Sequence, residues 1–226
     1  MSVLSTDLRA HLALVTGASG GIGKATCRAL ATLGCSIAVH YHSSQEVANA
    51  LVEELRVTST MGGPTILFNN AGLTLKIGIK SIDEISIEDF EHTWKANCGS
   101  AFLLTQLCLP EMEKSGWGRI IFCSSVAGFT GGVIGPHYAS SKSALHGLIH
   151  WLAGAYSKSG ITFNGVAPAL IQETTMLPAN NEDLAKKIPI GRLGFPEEIA
   201  ETVMWMVKTG YVTNKVIAVD GGMFVQ

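Results

Sequence analysis

The chain has 226 residues and a formal net charge of −2; 47% of its residues are hydrophobic and 15% charged, a mixture that argues for a buried core and against disorder. Its 16 basic and 18 acidic residues form no cluster that could follow a phosphate backbone, which excludes nucleic acid as a partner. No segment approaches 18 uninterrupted apolar residues and the start lacks a charged-then-apolar leader, so the expectation is a cytoplasmic protein with no membrane association. Five cysteines, odd in number and without CxxC spacing, read as reduced packing residues, with no metal site.

Short β-rich runs alternate with helical stretches along the chain. Strands are predicted at 12–17 (LALVTG), 36–41 (SIAVHY), 65–69 (TILFN), 119–125 (RIIFCSS), 161–167 (ITFNGVA) and 215–220 (KVIAVD). Helical composition fills 21–33, 44–56, 86–115 and 136–158, and Pro196 followed by two glutamates opens a helix to Lys208. Such alternation predicts a single-domain α/β fold spanning 1–226, a Rossmann-type doubly wound parallel sheet covered on both faces. Ala96–Pro110 carries no charge, and Tyr138–Ser157 only Lys142, so helices 86–115 and 136–158 lack an ordinary solvent face. Both are expected to pack against another subunit.

The first strand runs into a glycine-rich turn, TGASGGIG, with Gly17, Gly21 and Gly23 at the bend. Glycines let the backbone approach a pyrophosphate, and the amides that open the next helix attract its charge. A nucleoside-triphosphate loop is disfavoured, because Ala18 stands at its first glycine and Ala25 at its hydroxyl position.

Tyr followed four residues later by Lys occurs at Tyr138/Lys142 and again at Tyr211/Lys215. Only the first pair lies within a long helical segment, where positions four apart share a face, with Ser125 at a strand end thirteen residues earlier. An ammonium near a phenol favours phenolate; at about 5 Å and an effective dielectric near 20 the attraction is roughly 3 kcal/mol. That suits proton exchange with a carbonyl oxygen, and Ser125 could hydrogen-bond the same oxygen.

These segments, with NNAG at 69–72, Asn97 in KANCGS, SSVAG, YASSK, NGVAP at 164–168 and VDGG at 219–222, resemble the short-chain dehydrogenase/reductase family and within it the 3-oxoacyl-acyl-carrier-protein reductase type. The resemblance implies a catalytic set of Asn97, Ser125, Tyr138 and Lys142: Asn97 holds a water leading to Lys142, Lys142 binds the nicotinamide ribose and activates Tyr138, Ser125 orients the carbonyl, and Tyr138 transfers the proton. It also implies that the cofactor is held by Gly17, Ser19, Gly21, Ile22, Gly23, His42, Ser43, Asn70, Ala71, Gly72, Tyr138, Lys142, Pro168 and Thr174. No acid stands among His40, Tyr41, His42, Ser43 and Ser44, where an NAD-selective relative carries one, so NADP(H) is expected over NAD(H). The substrate would be a small-molecule or carrier-bound carbonyl compound.

The chain departs from the pattern at a shortened link and at Glu173. Only nine residues separate Leu55 from Thr65, where the family places a further strand and helix of about twenty residues, so one edge strand and its helix are expected to be absent. A right-handed crossover would then move the helix at 44–56 to the sheet face opposite its usual one. Such a join also admits an alternative, a truncated, non-catalytic relative with impaired cofactor binding. Glu173 stands where relatives place a threonine that contacts the nicotinamide, so Thr174 would take that contact after a local shift. Residues 170–193 would form a lid over the substrate. His137 is expected at the surface, and Lys114 and Arg119 as solvated charges.

Overall fold

The computed structural model describes residues 7–55, 62–177 and 181–224. Its sheet consists of β1 (Leu12–Val15), β2 (Ser36–Val39), β3 (Ile66–Asn69), β4 (Gly118–Cys123), β5 (Ile161–Pro168) and β6 (Lys215–Val219), in the order β2-β1-β3-β4-β5-β6. Every neighbouring pair is parallel. β3, β4 and β5 are buried along their whole length, which is why they read as continuous apolar runs and not as alternating ones. Among the described residues no strand lies beyond β2, as the short link at 55–65 predicts.

One face of the sheet carries α1 (Gly21–Thr32), α2 (Gln45–Leu55) and α8 (Pro196–Lys208). There Cys27, Leu30, Leu51, Ile199, Val203 and Met206 pack with Val15, Ile37, Phe68, Ile121 and Val166. On the other face lie α4 (Ser100–Ser115) and α6 (Pro136–Tyr156), whose Leu109, Met112, Leu145, Ile149 and Leu152 meet Leu67, Ile120, Phe122 and Phe163. The predicted helix at 86–115 is divided into α3 (Ile87–Trp94), a π-helical turn at Lys95–Gly99, and α4. Short helices α5 (Ala127–Thr130) and α7 (Glu182–Ala185) complete the described α-helices, and 3-10 turns stand at Ile82–Glu84 and Ser157–Ser159.

The handedness expectation for residues 44–56 is overturned. Leu51 of α2 shares its apolar layer with Leu30 of α1 and Ile37 of β2, so α2 keeps the face of α1. β1-α1-β2 steps outward, and α2, which follows β2, lies on the same face as α1. Ala48 and Leu51, both 2% exposed, hold α2 there by burial. Gly63 lies against Glu111 of α4. Residues 56–61, which carry most of the join, lie outside the described residues.

Arg119 is also corrected. It is 5% exposed, donates to the carbonyls of Val207, Gly118 and Gly160, and lies over the Trp117 ring, which stacks on His11 at 3.8 Å. Burial lowers its pKa to about 10. Tyr211 is 99% exposed, in the connection that leads into β6.

Candidate active site

The residues singled out by sequence converge at the C-terminal ends of β1, β3, β4 and β5, where an open parallel sheet forms its crevice. Gly17 leaves β1 with φ +62°, a conformation that disfavours a side chain, and a Cβ there would lie 3.1 Å from Ala71 Cα. The turn continues through Ser19 to Gly20, which caps α1 without a side chain, so the amides of Gly21, Ile22 and Gly23 at the helix start are left to an anion. Thr16, 2% exposed, locks this turn to the NNAG segment: its hydroxyl accepts from the amides of Asn70 (3.0 Å) and Ala71 (2.9 Å). The Asn70 carboxamide donates to the Thr16 carbonyl at 2.8 Å and to that of Gly17 at 3.2 Å. Thr16 was not among the residues singled out, although it opens the TGASGGIG string.

Gly72, Asn97 and Lys142 meet at one point. A Cβ on Gly72 would stand 3.0 Å from Lys142 Nζ and 3.3 Å from Asn97 Oδ1. Lys142 is 4% exposed and donates to the Cys123 carbonyl at 2.7 Å; its ammonium lies 5.7 Å from the centre of the Tyr138 ring. Asn97 sits in the π-helical turn, and its carboxamide is largely engaged. Oδ1 accepts from Leu73 N–H at 2.8 Å, while Nδ2 donates to the Leu73 carbonyl and the Ser141 hydroxyl, each at 2.9 Å. Ser141 passes its own proton to the Tyr138 carbonyl at 2.7 Å. Asn97 therefore ties the segment after NNAG to the turn of α6 that bears Tyr138.

Ser125 follows β4. Its hydroxyl oxygen accepts from Ala127 N–H at 3.2 Å, and its proton has only a long 3.4 Å contact with the carbonyl of Pro168, at the end of β5. That weak bond is readily exchanged for a carbonyl oxygen held in the cleft.

The surface position expected for His137 is not met, and Thr174, His42 and Ser43 are set as follows. Thr174 is turned into its own loop: its hydroxyl donates to the Ile171 carbonyl at 3.0 Å and accepts from Leu177 N–H at 3.2 Å. Instead Glu173, with φ +58°, presses its carbonyl onto Gly21, where a Cβ would come within 2.3 Å of the oxygen. His42 and Ser43 are exposed beyond β2, and it is His40 whose Nδ1 reaches Gly17 N–H, at 3.5 Å. His137 is not at the surface but 0% exposed, with Nε2 3.1 Å from the Thr74 hydroxyl and burial lowering its pKa. The lid predicted at 170–193 is pinched at its neck, where Gln172 N–H donates to Gly194 O and Gly194 N–H to Leu170 O, both at 3.0 Å. Pro178 lies outside the described residues.

The bare-capped helix start, the turn that excludes side chains and the exposed Gly72 beside a buried ammonium suit an extended, phosphate-bearing dinucleotide.

A profile described as "short chain dehydrogenase" matches residues 11–62, and one described as "Enoyl-(Acyl carrier protein) reductase" matches 48–224. The two meet at the shortened link. The 3-oxoacyl-[acyl-carrier-protein] reductase of Aquifex aeolicus is 34% identical over 253 residues, covering 98% of this chain and 100% of that protein. That alignment is longer than the chain, so part of the relative has no counterpart here. The 2-dehydro-3-deoxy-D-gluconate 5-dehydrogenase of Bacillus subtilis is 34% identical over 245 residues, covering 96% of this chain and 95% of that protein. An oxidoreductase of Burkholderia thailandensis, of the short chain dehydrogenase/reductase family, has the same fold with a TM-score of 0.83 at 22% identity, covering 94% of this chain and 92% of that one. A glycine turn, an NNAG segment and a Tyr138/Lys142 helix assembled on one sheet end, matched along nearly the whole chain, place it in the short-chain dehydrogenase/reductase family of nicotinamide-dependent oxidoreductases.

Proposed function

We propose that the protein is an NADP(H)-dependent reductase that interconverts a carbonyl and a secondary alcohol, with Tyr138 as the proton donor. The observation that carries this reading is the meeting of Lys142 and Asn97 over Gly72, with the Tyr138 ring on the same face of α6. When bound, the nicotinamide supplies or accepts the hydride. Gly17, Ser19, Gly21, Ile22 and Gly23 would hold its pyrophosphate, and Asn70, Ala71, Gly72 and Pro168 would line the cleft.

The protein's own residues handle the proton and the oxygen. Ser125 gives a hydrogen bond to the carbonyl oxygen as that atom gains charge, and Tyr138 delivers its phenolic proton to the same atom. The Lys142 ammonium stabilises the phenolate left behind and exchanges its Cys123 partner for the ribose. Asn97 Oδ1, with one lone pair on Leu73 N–H, keeps the other for a water leading to Lys142.

The absence of an acid among residues 40–44 leaves room for a 2′-phosphate, and His40 and His42 are the nearest groups that could meet it. The names of the two curated relatives favour carrier-bound 3-oxoacyl groups or sugar acids as substrate classes. Phe102, Leu103, Leu107 and Trp151, each at least half exposed on α4 and α6, favour a homodimer or homotetramer joined through these helices. The test is a fluorescence titration with NADPH and NADH, followed by a panel of carbonyl substrates read by NADPH absorbance. Tighter binding of NADH, or a panel without turnover by protein that binds NADPH, would overturn the reading.

A further inference from the structure

His146 and Ser124 belong to no step described so far, yet they lie directly behind the proposed lysine. Ser124, 2% exposed, contacts two groups of α6: the Lys142 carbonyl oxygen at 3.1 Å and His146 Nε2 at 2.7 Å. A carbonyl only accepts, so the Ser124 proton satisfies Lys142 and the Ser124 oxygen is left to accept from His146. Both contacts are met together only when Nε2 carries the imidazole proton. The bonds then run in one direction, from His146 Nε2–H to Ser124 Oγ–H to the carbonyl of Lys142.

The residue before Ser124 is Cys123, whose carbonyl takes the Lys142 ammonium at 2.7 Å. Two successive residues at the end of β4 thus hold Lys142 at both its main chain and its charged end. The imidazole is itself confined. The Phe129 ring packs on it at a centroid separation of 4.5 Å and is backed by Phe224 at 5.0 Å. Gly128 brings α5 so close that a Cβ there would lie 3.0 Å from His146 Cε1 and 3.1 Å from the Lys142 carbonyl carbon.

We infer that His146, acting through Ser124, is a positioning residue that fixes Lys142 against the end of β4 and so sets where the ammonium stands relative to Tyr138 and the ribose. The inference rests on the proposed role of Lys142. The brace costs no charge, and its direction survives protonation of His146, because the imidazolium still donates from Nε2.

The test uses Ser124→Ala, His146→Leu and His146→Gln in the full chain, with NADPH and an acetoacetyl thioester as the carbonyl probe. Glutamine can place an amide N–H close to the position of Nε2, whereas leucine keeps bulk and donates nothing. Ser124→Ala is expected to lower kcat about tenfold, within the range that misplacement of a reacting group produces, with the thioester KM changed less than about twofold. His146→Leu should show a smaller drop of the same kind, and His146→Gln should restore it. The NADPH dissociation constant, read by fluorescence without substrate, should rise about threefold in Ser124→Ala and follow the same rescue. Wild-type kcat and NADPH affinity in both Ser124→Ala and His146→Leu would overturn the inference. Equal losses in His146→Leu and His146→Gln, accompanied by lower melting temperatures, would likewise overturn it by assigning His146 to packing alone. Failure of the underlying reading is distinguishable: Tyr138→Phe or Lys142→Ala would then retain turnover.

Discussion

The Lys142 ammonium donates to the Cys123 carbonyl at 2.7 Å, so the proposed catalytic cation is held by the last residue of β4. The bond satisfies one donor of a side chain that is only 4% exposed. Ligand binding must offer the ammonium an equally good acceptor. Lys142→Ala is therefore expected to weaken NADPH binding as well as turnover. Tyr138→Phe should reduce kcat by at least about a hundredfold, the scale of general acid catalysis, and leave NADPH affinity within about twofold. Retained turnover in Tyr138→Phe would remove Tyr138 as the acid.

Gly72→Ala separates site geometry from stability. Its new methyl would meet the far end of Lys142 at 3.0 Å, and a long side chain can swing away at little cost to the fold. The displaced ammonium would, however, leave Tyr138 and the ribose. Expected are a loss of stability below about 1 kcal/mol by urea denaturation and a fall in kcat of at least about tenfold. A stable variant with undiminished kcat would show that the ammonium need not occupy this gap.

Thr16→Val keeps shape and removes the acceptor shared by Asn70 and Ala71. The part-buried Ala71 amide would then lose its acceptor, at a cost of about 1–3 kcal/mol before relaxation, while Asn70 N–H keeps the Phe68 carbonyl at 2.9 Å. NADPH affinity should fall with stability, because the same bonds hold the NNAG segment against the glycine turn. An unchanged urea midpoint would mean that the amide finds water instead.

These residues also mark where sequence was legible. Buried parallel strands announce themselves as apolar runs, and glycine turns and a Tyr/Lys spacing are local, so the sheet, most helix limits and the meeting of Gly72, Asn97 and Lys142 could be anticipated. The exceptions depend on distant partners. The face taken by α2 is decided by Leu51 finding Leu30 and Ile37. His137 is buried beside Thr74, 63 residues away. Arg119 looked like a solvated charge until the carbonyl of Val207, 88 residues on, came to meet it.

Arg119→Met tests that last arrangement. Methionine fills part of the space but donates to none of the three carbonyls, and the Trp117 ring loses its cation. Removing a buried charge returns some desolvation energy, yet this guanidinium is hydrogen-bonded and the carbonyls would be stranded. A net loss of about 1–3 kcal/mol is expected, with NADPH affinity unaffected, because Arg119 starts β4 and the proposed site lies at the opposite strand end. Equal or greater stability of the methionine variant would show that desolvation outweighs the bonds.

Three histidines predict how stability depends on pH. Burial lowers the pKa of His11, aided by the charge of Arg119; burial alone accounts chiefly for His137; burial and then the charge of His150 act on His146. Each titrates below its ordinary 6.5 in the folded chain. Below that pH the unfolded chain binds more protons than the folded one, so the free energy of unfolding rises with pH through this interval. Stability should be full above about pH 7 and fall progressively as the medium is acidified towards about pH 5. Glu198, held at about 2 by Arg192 and by the Phe195 amide, adds a second loss only at much lower pH. Urea midpoints measured across this range should decline on acidification, and His137→Gln, uncharged at every pH, should flatten the decline. A midpoint that rises as the pH is lowered from about 7 to about 5 would contradict the sign for all three residues.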